Sequence, residues 1–243
     1  MEALGLGLFM VSAGAFGTLF ESPASPWRQA LPDPLLRRVL MGVAMGLTAI
    51  ALVYAPWGRR SGAHINPALT LTFLRLGRVP GRDAAAYVVA QFVGGLAGAL
   101  VVAAVLGDAF TAPPVTAVAT MPGARGLAVA FGAELLISFL LVLLVLTLGR
   151  SARLGRYTGV FVGAALVLFI TFEAPLSGMS MNPARTLASA VTARAFGALW
   201  IYFLAPAAGM LLAAEVHLRL EKRGRRGCAK LVHAVPCIFC RAK

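Results

Sequence analysis

The residues with chemistry to offer in this 243-residue chain sit in two copies of one phrase. Ser61-Gly62-Ala63-His64-Ile65-Asn66-Pro67-Ala68-Leu69-Thr70-Leu71 returns as Ser177-Gly178-Met179-Ser180-Met181-Asn182-Pro183-Ala184-Arg185-Thr186-Leu187, identical at seven of eleven positions. Asn before Pro is a helix start: the Asn side chain caps free amides, and Pro fits the first turn, where no amide partner is needed. The chemistry on offer is hydrogen bonding, with the carboxamide donors of Asn66 and Asn182 aimed at whatever passes between them. Arg185 is a charge within an apolar segment, expensive at membrane depth and a functional candidate by default; the plain alternative is an Arg that snorkels to the interface. Glu2 and Glu134 are carboxylates in apolar runs, either proton couplers or acceptors for backbone amides. His64 could sense pH or make a structural hydrogen bond. Cys228-x4-His233-x3-Cys237-x2-Cys240 offers soft ligands with CxxC spacing, enough for a tetrahedral metal site; read plainly, it is a short tail whose cysteines pack or carry lipid. No other cofactor is expected, and no nucleophile or acid–base constellation falls within the apolar segments, so the chain does not read as an enzyme.

The elements that must position these residues lie in a membrane. Hydrophobic residues make up 59% of the chain and charged ones 13%, where soluble domains run near half and a quarter. Six stretches are long and almost free of charge: Leu4–Phe20, Val39–Trp57, Ala84–Gly107, Gly126–Gly149, Tyr157–Phe172 and Ala195–Ala214. Most approach the roughly 20 residues that cross a bilayer as a helix. Each half has three spans, and each carries its phrase after the second. Ile65–Leu74 and Met181–Thr192 are too short to cross and read as half-helices folding in from opposite faces. An odd number of spans per half sets the halves in opposite orientations, an inverted repeat. Irregular backbone at membrane depth survives only inside protein or along a water-filled cavity, so two facing re-entrant segments imply a cavity on the pseudo-symmetry axis. The expectation is an all-α membrane protein of six transmembrane helices and two half-helices over residues 1–220, with halves at 1–107 and 125–220 and a basic tail at 221–243. The linker Asp108–Arg125 joins the halves on the outer side.

The net charge of +13 reports orientation. With the N-terminus inside, Arg59–Asp83, Arg150–Arg156 and the tail from His217 hold 16 of the 22 Lys and Arg residues, as the positive-inside rule requires. Both termini are thus placed in the cytoplasm of a cell membrane, where cysteines stay as thiols. Interleaved basic and aromatic residues are absent, which excludes nucleic acid as a partner. Glu2, with no Lys or Arg ahead of the first apolar run, argues against a cleaved signal peptide. Gly94 and Gly98 are spaced for close helix contact.

From about Glu2 to Arg219 the chain resembles the major intrinsic protein family, the aquaporins and aquaglyceroporins. The resemblance rests on two Asn-Pro-Ala motifs in opposite halves, each preceded by Ser-Gly, and on Arg185 after the second. Glu2, Gly5, Gly46-Leu47-Thr48, Gln91, Gly94, Glu134, Pro206 and Gly209 add to it. It implies a passive channel for water and small neutral solutes that excludes protons and ions, built as a homotetramer in the lipid bilayer. It also implies a filter of Met45, Ile170, Met179 and Arg185, with Glu2 and Glu134 bracing the re-entrant loops. Water-selective members typically have Phe and His at the first two filter positions, whereas this chain has flexible or branched apolar side chains. Thr186 stands where glycerol facilitators usually have Asp, which leans towards water; Tyr202-Phe203 replaces the aromatic-Trp pair usual in water channels, which weakens that lean. The rivals are a broader facilitator of glycerol or undissociated metalloid acids and, from another class, a coupled secondary transporter. The family pattern implies no metal at the tail cluster.

Overall fold

The computed structural model describes residues 1–151, 153–220 and 228–232. Its regular elements are helices: α1 (Glu2–Glu21), α2 (Pro26–Ala30), α3 (Pro34–Tyr54), α4 (Pro56–Ser61), α5 (Pro67–Arg75), α6 (Gly81–Leu106), α7 (Asp108–Thr111), α8 (Leu127–Leu148), α9 (Thr158–Phe172), α10 (Ala174–Ser177), α11 (Pro183–Ala193) and α12 (Leu199–Leu220). Six are long and apolar enough to cross a membrane: α1, α3, α6, α8, the segment Gly155–Phe172 containing α9, and α12. The chain is an all-α, multi-pass membrane protein. Local chemistry starts its helices: Asp33 accepts from the Leu35 amide ahead of α3, with Pro34 in the first turn, and Asn66 and Asn182 do the same for α5 and α11.

The packing repeats across the halves. Helix α1 lies on α6 as α8 lies on α12, and α3 crosses α9. The half-helices exchange partners, α11 packing on α6 of the first half and α5 on α12 of the second. Glycines permit these contacts, Gly94 and Gly209 among them. A Cβ on Gly94 would stand 2.0 Å from the Ala3 carbonyl oxygen of α1, and one on Gly209 would stand 2.2 Å from that of Leu135 in α8. Backbone-to-backbone approach of this kind is how helices associate in lipid, where apolar burial drives nothing.

The structure departs from the sequence expectation at several places. The half-helices begin at Pro67 and Pro183 rather than Ile65 and Met181, because Ile65 (φ 41°) and Met181 (φ 54°) are in the left-handed region and cannot join a right-handed helix. Helix α12 runs on to Leu220, six residues past the expected end of the last span. The linker is structured: it contains α7 and a 3-10 turn at Thr116–Val118, and its Gly123 amide donates to the Leu176 carbonyl (2.9 Å).

Candidate functional site

The two phrases fold alike. After α4 and α10, Gly62 and Gly178 turn left-handed at φ 100° and 83°, followed by Ala63 and Met179, then Ile65 and Met181, all at positive φ. Such a conformation is costly for a β-branched residue such as Ile65 and persists only where its surroundings enforce it. Here a carboxylate does so. Glu2 accepts from the Ser61 hydroxyl (2.7 Å) and the Ile65 amide (2.6 Å), and Glu134 from the Ser177 hydroxyl (2.8 Å) and the Met181 amide (2.7 Å). Glu134 also takes the Ser180 amide (2.6 Å). Buried amides that leave regular structure must find partners, and these two side chains supply them. Tyr87 and Tyr202 complete the braces, their hydroxyls donating to the Ser61 and Ser177 carbonyls at 2.8 and 2.5 Å.

The helix starts meet at the centre. The Asn66 oxygen accepts from the Ala68 and Leu69 amides, and the Asn182 oxygen from those of Ala184 and Arg185. Each carboxamide nitrogen reaches across to the other half, Asn66 Nδ2 to the Met181 carbonyl (2.7 Å) and Asn182 Nδ2 to the Ile65 carbonyl (2.8 Å). An amide nitrogen has two hydrogens, so each Asn keeps one donor for the lumen. Asn66, Asn182, Met45, Ile170, Met179 and Arg185 line one cavity of about 300 Å³, room for about ten waters at liquid volume. Its wall is largely apolar. Met45 is held by Ser12, whose hydroxyl lies 3.9 Å from the sulfur and 2.7 Å from the Thr48 hydroxyl. Arg185 Nη1 is buried and has no hydrogen-bond partner among the described residues. The arrangement offers neutral donors, the guanidiniums of Arg38 and Arg185 and backbone acceptors to a file of small polar molecules.

Other residues are placed in ways the sequence did not signal. His64 makes a structural contact, Nδ1 3.1 Å from the Thr70 hydroxyl and its ring 4.8 Å from that of Phe73, but its second partner is the Ala229 carbonyl of the tail, 2.8 Å from Nε2. Tyr202 is fully buried in the brace and absent from the cavity wall. Glu173 is a third buried carboxylate, hydrogen-bonded to Ser177. The detectable signal was its place four residues before Ser177, one helical turn away. Burial pushes its carboxyl up to about 7; the Ser177 hydrogen bond opposes this and the nearby Glu134 carboxylate adds to it. Of the proposed metal cluster, Cys228 lies within the described residues, whereas His233, Cys237 and Cys240 lie outside them.

The sequence profile of the family described as Major intrinsic protein matches residues 2–217. The chain is 36% identical over 190 residues to Aquaporin NIP1-4 of Oryza sativa subsp. japonica, covering 76% of this chain and 66% of that protein. It is 38% identical over 183 residues to Aquaporin NIP2-3 of Zea mays, covering 74% and 58%. It thus spans under two thirds of the length of these curated relatives. The X-ray structure of the aquaglyceroporin from Plasmodium falciparum superposes with a TM-score of 0.70 over 89% of this chain and 92% of that one, at 21% identity, a likeness of fold.

Proposed function

The chain belongs to the major intrinsic protein family, and on that premise we propose that it is a passive channel conducting water and other small neutral solutes in single file while excluding protons and ions. The observation that carries this is the pair of crossed carboxamides at the meeting point of α5 and α11, each with one donor left for the lumen. A water accepting from both turns its own hydrogens outward in opposite directions, which breaks the oriented chain along which protons hop; aquaporin-type pores in general are understood this way. The half-helices add about half a positive charge each at the centre, which repels cations. Arg185, beside Met45, Ile170 and Met179, acts as the donating side of the filter, and Glu2 and Glu134 brace the loops.

The apolar filter supports a second, broader reading of the same pore. Three apolar side chains facing one Arg leave more room and fewer polar contacts than a water-selective constriction, which suits glycerol or undissociated metalloid acids. The site is proposed to sit in a cell membrane with both termini in the cytoplasm, supported by the skew of basic residues. The assembly is proposed to be a homotetramer with one pore per subunit, the arrangement implied by the family.

Light-scattering shrinkage and swelling of proteoliposomes tests these statements, with water, glycerol and boric acid compared in turn. Water flux above that of empty vesicles is expected, with measurable passage of the larger solutes. Water flux equal to that of empty vesicles, in the full chain and in a chain ending at Leu220 alike, refutes the channel, and flux that requires a proton or sodium gradient makes the protein a coupled transporter instead.

A further inference from the structure

Residues 228–232 return to the mouth of the pore framed by the first phrase. Helix α12 ends at Leu220, and the seven intervening residues can reach at most about 25 Å. The Ala229 carbonyl takes a hydrogen bond from His64 Nε2 at 2.8 Å, so this ring nitrogen carries the hydrogen. The Leu231 amide donates to the Gly62 carbonyl at 3.3 Å. Ala229 is fully buried, and Lys230, Leu231 and Val232 are each at most 6% exposed. Leu231 and Val232 belong to the same apolar cluster as Ala63, Leu69 and Phe73. Leu231 also lines the cavity that contains Asn66 and Asn182. An apolar side chain of the tail therefore forms part of the cavity wall, and a tail amide occupies a carbonyl of the very loop whose acceptors would serve the file of waters.

We propose that residues 228–232 form an autoinhibitory plug: docked against Gly62 and His64 they close down this mouth of the pore, and their release opens it. The contact is suited to being reversible. It includes a hydrogen bond from the His64 side chain, one from the Leu231 amide and a few apolar side chains, and it is joined to α12 by a seven-residue connection that carries Lys222, Arg223, Arg225 and Arg226. The inference rests on the channel function proposed above.

The test is stopped-flow osmotic permeability per reconstituted channel for three proteins: the full chain, a chain ending at Leu220, and the full chain with Leu231→Asp. The aspartate expels the segment because an unpaired carboxylate is costly in an apolar seat, so it carries the test if the shortened chain does not elute as folded protein. Both variants are expected to conduct water faster than the full chain, by about tenfold if the plug is docked nine times in ten. Equal conduction by all three, above empty vesicles, overturns the plug and leaves the channel standing. If all three remain at the rate of empty vesicles, the channel is refuted and the plug with it.

Discussion

At Ser177 a single hydroxyl hydrogen faces two carboxylates, Glu134 and Glu173, while its oxygen also accepts from the Met179 amide (3.1 Å). One hydrogen serves one acceptor, so the other contact needs a proton on the carboxyl itself. Glu134 already accepts from the Ser180 and Met181 amides, so the proton is assigned to Glu173, whose carboxyl burial and the neighbouring Glu134 push up to about 7. The consequence for stability has a definite sign. An unfolded Glu titrates at about 4.3, so between there and about 7 the native state keeps a proton that the unfolded chain has lost. Stability falls as pH rises through that window and is flat with respect to this group above it. Melting of the detergent-purified protein from pH 5 to 8 should show this fall, and Glu173→Gln should remove most of it; parallel curves for the two proteins would mean that Glu173 is not the protonated partner. A second prediction belongs to the proposed filter. Met179 lines the cavity beside Arg185, so Met179→Trp should slow glycerol before it slows water. Equal slowing of both would place the constriction elsewhere.

At the scale of elements, the loops are bent by side chains from other helices. Glu2 sits 59 and 63 residues from its partners Ser61 and Ile65, and Glu134 sits 43 and 47 from Ser177 and Met181. The sequence made the elements legible because apolar length defines a span and Asn-Pro defines a helix start. It made Glu2 and Glu134 legible as candidates because a carboxylate in an apolar run demands a reason. It left Tyr87 and Tyr202 unassigned, since a tyrosine on a membrane helix has several ordinary uses and only its register against Ser61 or Ser177 distinguishes this one. The close crossings were visible only as a spacing of glycines; which backbone each glycine meets is a matter of three dimensions. Gly94→Ala would force its methyl against the Ala3 carbonyl, 2.0 Å away, which should cost roughly 1–3 kcal/mol as overpacking does. Because α11 also packs on α6, the same change should weaken the seat of the second half-helix. Thermal unfolding of Gly94→Ala and Gly209→Ala measures this, and melting temperatures unchanged in both would show that α1–α6 and α8–α12 can separate freely.

At the scale of the whole molecule, the duplication makes one property that neither half could have. Each half-helix alone points the positive end of its dipole at the membrane centre, and each Asn alone supplies a donor from one side only. In the proposed channel, the two together would orient a water from both sides and stack two positive ends at one point. The internal repeat in the sequence made this symmetry readable, offset by 116 residues between Asn66 and Asn182. The returning tail was not readable, because no repeat, cap or spacing in Cys228–Val232 marks it as a partner for Gly62. The symmetry can be tested without dismantling the fold. Asp caps a helix about as well as Asn, so Asn66→Asp with Asn182→Asp should leave α5 and α11 started at the same prolines. It removes the carboxamide donors and sets acidic groups against the two dipoles. Water should still pass, while vesicles clamped with potassium and valinomycin should now leak protons, as followed by an internal pH dye. Vesicles that remain proton-tight with both substitutions in place, and that still conduct water, would show that exclusion resides away from the two carboxamides, where Arg38 and Arg185 line the same cavity unaltered.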